Sequence, residues 1–259
     1  MHLDLTTVAL QWAAGGLAYL FVTTRRRSVG IGYGWLLRSS FAVIAVAGVV
    51  AGVSNRDAGV AASVRDVAGG VMAALAVLAL LVSIVKRHDG LSAPHSFPPW
   101  LDALAPAAGV VALIAAAFCV GGNEVLWIAR LVVGAAFLGC VTDAMLLGHW
   151  YLVQPGLSRD PIKELVDHAI VLTPIEIALM LVPTGMVQVL GGSIDDGWGG
   201  LLGWMWVVFA ITMLGLLIAS RFALREPYYS AVMATTGLLY LGILTAFGTD
   251  VMARAIMTH

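Results

Sequence analysis

The sequence predicts an all-α fold, a polytopic integral membrane helical bundle with about eight transmembrane helices, and three observations lead there. Of its 259 residues, 60% are hydrophobic and 11% charged, against roughly a quarter charged in a soluble domain. The apolar residues gather into runs long enough to cross a hydrocarbon core, which takes about 20 helical residues. No run alternates in polarity as a barrel strand must, so backbone amides and carbonyls in lipid have to be satisfied within helices.

The runs fall at 7–24, 31–53, 67–86, 101–121, 125–152, 162–190, 200–220 and 228–250. No basic stretch precedes the first, and Arg25, Arg26 and Arg27 follow it. That is the reverse of a cleavable signal peptide, so the first helix is expected to remain. The fifth and sixth runs are long enough to tilt or to project beyond the hydrocarbon. Gly156 closes the connection after the fifth and Pro161 opens the sixth, which predicts an antiparallel hairpin. The longest connection, 87–99, holds Pro94, Pro98 and Pro99 and leads to Trp100, as suits an interfacial linker. Short connections leave 1–259 reading as a single transmembrane domain. Trp35, Trp100, Trp150, Tyr151, Trp204, Tyr228 and Tyr229 lie near run ends, where amphipathic rings settle at the headgroup level.

Orientation follows from Lys and Arg, which are retained on the cytoplasmic side. Odd connections carry Arg25, Arg26, Arg27, Lys86, Arg87, Arg159, Lys163, Arg221 and Arg225. Even connections hold Arg56 and Arg65 offset by Asp57 and Asp66, then Glu124, then Asp195 and Asp196 in a Gly-rich stretch. An even helix count then puts Met1 and His259 on the non-cytoplasmic side, and a prokaryotic inner membrane is the expected location.

Several chemistries are excluded or unsupported. A formal net charge of −1, with basic residues at run ends, gives no field for nucleic acid. Cys119 and Cys140 sit alone in apolar runs and read as small buried hydrophobes. There is no HExxH, GxSxG, P-loop or Rossmann pattern, and the last run has no lysine for a retinal Schiff base. Whether the chain is an enzyme is left open.

Ionisable groups inside hydrocarbon each need a partner, a water path or a function. Arg38 in the second run and Asp143 in the fifth lie roughly 10 and 15 Å from the cytoplasmic ends of their helices, which predicts an ion pair if those helices touch. His149 and His168 fall at similar expected depths on the hairpin, and two facing imidazoles hold a haem b iron axially. His168 also has Glu164 and Asp167 beside it, which explains it equally well as a salt-bridged interfacial residue. Glu176 follows Pro174 near the bilayer midplane, with Pro183 beyond it, and prolines that remove helix hydrogen bonds expose carbonyls around a central acid. Arg130, and Asp250 with Arg254, read as boundary features.

Three functions fit these residues. The first is an integral membrane subunit of an electron-transfer complex, binding quinone or one haem b near the cytoplasmic face through His149 and His168, with Glu176 or Asp143 handling protons. The second is a small proton- or ion-coupled transporter or channel centred on Glu176, with Arg38 and Asp143 as a gate. The third is a structural or assembly subunit. All three expect the lipid bilayer as partner, and the first and third expect other membrane-protein subunits.

Overall fold

Each apolar run becomes helix, and the ends agree within a few residues except at three places. A computed structural model describes residues 4–55, 59–88, 97–181 and 185–257, the side chains of residues 87 and 88 excepted. The helices are α1 (Leu5–Thr24), α2 (Ile31–Asn55), α3 (Val60–His88), α4 (Leu101–Val120), α5 (Glu124–Val153), α6 (Asp160–Leu181), α7 (Met186–Leu190), α8 (Leu201–Ala223) and α9 (Tyr229–Ile256). No strand occurs among the described residues.

Seven of these, α1 to α5 with α8 and α9, are long and apolar enough to cross a membrane. They mark the chain as an integral membrane protein in contact with lipid. The other long helix, α6, has 22 residues and so runs roughly 33 Å. Its opening turns carry Asp160, Lys163, Glu164 and Asp167.

Local chemistry sets the helix ends. Gly121 and Gly122, both at positive φ, stop α4. The Asn123 side chain accepts the Leu126 amide at 3.2 Å and caps α5. Ser158 accepts the Asp160 amide at the entry to α6, where Pro161 costs no helix bond.

The three departures each move a charge or divide a run. The run 162–190 is not one helix: α6 ends at Leu181 and the five-residue α7 follows. Pro183 lies outside the described residues, but a proline there, with Gly185, Gly191 and Gly192 after it, disfavours a continuous helix. Helix α3 begins seven residues before the expected start, which brings Arg65 and Asp66 into the helix rather than an outward loop. Helix α9 continues to Ile256 and takes in Asp250 and Arg254.

The described helices group into two compact units, divided inside α5 between Gly139 and Cys140. In the N-terminal unit α1 to α4 form an antiparallel ring in which α1 packs on α2 and α4, and α3 on α2 and α4. The first half of α5 joins it on α1. Contact there is backbone to backbone: a Cβ on Gly15 would lie 1.7 Å from the Ala135 carbonyl oxygen, and one on Gly139 2.0 Å from the Gly15 carbonyl carbon. In the C-terminal unit α8 packs on α6 and α9. The second half of α5 meets α9 where a Cβ on Gly148 would lie 2.6 Å from the Thr236 hydroxyl. Met180, Met186, Val189, Trp206, Ala253 and Ile256 seal one end of that unit.

Replacing Gly139 by Ala should therefore lower stability in detergent by about 1–3 kcal/mol through overpacking. Gly215→Ala is the control, since a Cβ at that position in α8 meets open space. Matching unfolding midpoints for the two variants would contradict the close α1–α5 contact.

Candidate functional site

In the N-terminal unit two buried arginines, Arg38 and Arg65, form ion pairs. Arg38 projects from α2 into the ring, and Gly34, one turn before it, makes the space: a Cβ there would lie 2.6 Å from Arg38 Nη1. The guanidinium donates from Nε to Asp102 Oδ1 and from Nη2 to Asp102 Oδ2, both at 2.7 Å. Thr24 of α1 donates to Asp102 Oδ2 at 2.9 Å. Nη1 lies 3.4 Å from the Ser83 hydroxyl of α3, which also accepts the Trp35 indole N–H at 2.9 Å. The Phe97 ring lies under the guanidinium, 4.4 Å from Cζ to centroid. Side-chain exposures of 2% and 1% make Arg38 and Asp102 a fully desolvated bidentate pair.

This corrects the expected pairing of Arg38 with Asp143. Asp102 opens α4 at the end of the ring toward which Arg38 extends, and its two oxygens meet the guanidinium fork. Sequence reasoning passed over Asp102 because it follows Trp100 at a run boundary, where an acid is ordinarily solvated.

Two further arginines are more buried than expected. Arg65 of α3 has a 2% exposed side chain and donates to Asp66 at 2.8 Å. Gly52 of α2 leaves the room, since a Cβ there would crowd Asp66, Arg65 and Thr6. Arg130 is buried, with Cζ 4.9 Å from the centre of the Trp127 ring. The aromatic face one turn away is part of what receives it.

In the C-terminal unit Asp143 and Glu176 are both at 0% exposure. Helices α5 and α6 touch where the Cys140 thiol donates to the Leu165 carbonyl at 3.1 Å. Asp143 lies three residues beyond that contact on α5, and Glu176 eleven beyond it on α6, which runs the opposite way. The two carboxyls thus stand roughly 5 and 16 Å from the contact in opposite directions, at two depths along the hairpin. The histidines are staggered as well, His149 roughly 13 Å and His168 roughly 5 Å from the contact, again in opposite directions. His149 is exposed and its Nδ1 lies 3.3 Å from the Tyr240 hydroxyl of α9. His168 is half-buried beside Asp167, which accepts from Arg221 Nε at 2.5 Å.

Around Glu176, Pro174 lies inside α6 and withholds the amide that would bond the Ile170 carbonyl. The Thr173 hydroxyl donates to the neighbouring Ala169 carbonyl at 2.7 Å. At the hairpin end, Arg159 donates to the carbonyls of Glu226 and Pro227 at 2.5 and 2.6 Å and ties the α5–α6 turn to the α8–α9 turn. Tyr151, expected in the interfacial belt, is buried and its hydroxyl donates to the Ser158 carbonyl. At the other end Arg254, in the last turn of α9, donates from Nε and Nη2 to Asp250 Oδ1 at 2.9 and 2.7 Å, so the expected end-of-helix residues form a buried pair.

Asp196 organises the turn before α8. Its Oδ1 accepts the amides of Trp198 and Gly200, and its Oδ2 those of Leu202 and Gly203, at 2.8–3.2 Å. These bonds, that from Gly200 foremost, hold its carboxyl below the ordinary Asp value.

Among the described residues no group of three or more His, Cys, Asp or Glu is arranged to hold a metal ion. Comparison with protein-family models, with curated proteins and with solved structures gives no match. For the Arg38 pair, Arg38→Met and Asp102→Leu should each cost about 3–5 kcal/mol, because each strands a buried charge, and the double variant should recover most of that loss. Thermal unfolding in detergent reads the difference, and a double variant no more stable than either single one would contradict the pairing.

Proposed function

We propose that the protein is a small proton- or ion-coupled transporter in which Asp143 and Glu176 of the C-terminal unit are the exchanging carboxyls. The observation that carries this reading is their complete burial at two depths on one antiparallel hairpin. Acids inside a bundle recur along proton and ion routes as well as in buried ion pairs. Pro174 supports it by freeing the Ile170 carbonyl, six residues before Glu176 on the same helix. Arg38, expected as part of a gate, has no part in this reading, because Asp102 already neutralises it.

The topology proposed with it has α6 as an eighth span, with both termini on the non-cytoplasmic side of a prokaryotic inner membrane. Support comes from the basic connections of each unit sharing one end. In the N-terminal unit Arg27 Nη2 lies 3.5 Å from the Phe97 carbonyl, and in the C-terminal unit Arg159 reaches the α8–α9 turn.

A second reading, the quinone-binding subunit of an electron-transfer complex, is favoured by one observation. The exposed His149–Tyr240 pair offers hydrogen-bond donors to a quinone carbonyl. A haem b belongs to the same reading with one of the two histidines as its ligand, because a stagger of roughly 18 Å along the hairpin keeps His149 and His168 from sharing one iron. Partner subunits belong to it too.

Proton flux into liposomes separates the two. Under the transport reading Glu176→Gln and Asp143→Asn each slow uptake by about a hundredfold, with no visible haem bands in the reduced protein. Undiminished flux in both variants would remove the transport assignment. Reduced-haem bands abolished by His149→Ala would move the protein to the second reading.

A further inference from the structure

We propose that the groove between α8 and α9 beside the Asp196 turn binds the acyl chain of a membrane lipid whose headgroup carries an ammonium. The groove has a volume of about 550 Å³, within the range of small-molecule sites. Its walls are Leu202 of α8 and Phe247, Val251, Met252 and Ile256 of α9, and its mouth is Asp196 and Trp198. From Phe247 to Ile256 the apolar floor runs roughly 13 Å along α9, the shape of a chain segment rather than of a compact solute.

The mouth selects the headgroup. Trp198 is 67% exposed, yet its backbone is fixed because its amide donates to Asp196 Oδ1 at 2.9 Å. A large aromatic face is thus held open at the rim without being packed. The adjoining Asp195 is exposed and accepts the Gly197 amide through Oδ1 at 2.9 Å. Residues 186–203 contain two carboxylates and no Lys, Arg or His. A phosphate-only headgroup meets like charge here, whereas an ammonium meets the exposed Asp195 carboxylate and an indole face, the partners that attract a cation, with the buried Asp196 adding to the negative field. Neither Asp143 nor Glu176 lines the groove, so this site stands or falls separately from the transport reading.

The test uses the full-length protein in liposomes containing brominated phosphatidylethanolamine or brominated phosphatidylglycerol at equal mole fraction. Bromine quenches a neighbouring indole, and the Trp198 contribution is the difference between the native protein and Trp198→Phe. Quenching of that contribution should be about twofold stronger with the ethanolamine lipid, the scale of one exposed charge contact. Asp195→Asn should narrow the preference, and Ala255→Phe, which fills the groove floor, should reduce quenching by both lipids. Equal quenching by the two lipids overturns the headgroup assignment, and quenching indifferent to Ala255→Phe overturns the groove as the chain site.

Discussion

A charged side chain inside hydrocarbon costs at least about 2.5–3.5 kcal/mol, and this protein meets that constraint by giving its buried arginines counter-charges or aromatic faces within reach. Arg38 finds Asp102, 64 positions away on another helix, and the pair recruits Thr24, Ser83 and Phe97. Because those groups come from α1, α3 and the chain before α4, one ion pair fixes how the N-terminal ring closes. Arg254 and Arg65 are satisfied locally, by Asp250 four residues before and by Asp66 next to it. The Arg38 pair differs from these in joining two helices, α2 and α4, as the Arg221–Asp167 pair joins α8 and α6 in the C-terminal unit.

Glycine supplies the complementary device. Gly15 and Gly139 let α1 and α5 approach to backbone contact, and Gly34 and Gly52 clear space for Arg38 and for Arg65 with Asp66. Without a hydrophobic drive between helices in lipid, close approach and buried polar contacts are the main sources of association. The two occur together here, since the glycines beside the arginines are what allow a guanidinium to enter.

Much of the architecture was legible because hydrocarbon forces helix wherever about 20 apolar residues run together. The eight runs and the α5–α6 hairpin followed from that rule. What failed were boundaries that cross charges: Arg65, Asp66, Asp250 and Arg254 looked like loop or end residues, yet pairing lets each continue a helix. The run 162–190 looked continuous because hydropathy does not register the backbone cost of Pro183 and the glycines after it. Arg38 and Asp143 were each visible as buried charges, but the partner of Arg38 depends on which helices share a ring, and spacing along a chain does not encode that. For the candidate site, Glu176 and Asp143 were legible as buried acids, whereas their stagger required the Cys140–Leu165 contact.

Every functional reading of Glu176 depends on α6 lying inside the membrane, although its first turns are the most charged of any long helix. Single cysteines at Gln154 and Ser193, in a chain with Cys119→Ser and Cys140→Ala, flank that helix and are exposed. Labelling with a membrane-impermeant maleimide in intact and in opened cells tests the crossing directly. The account predicts that Ser193→Cys reacts from outside and Gln154→Cys only after the cells are opened. Reaction of both from the same side would mean that α6 does not cross, and that its buried acid has no place in a transmembrane route.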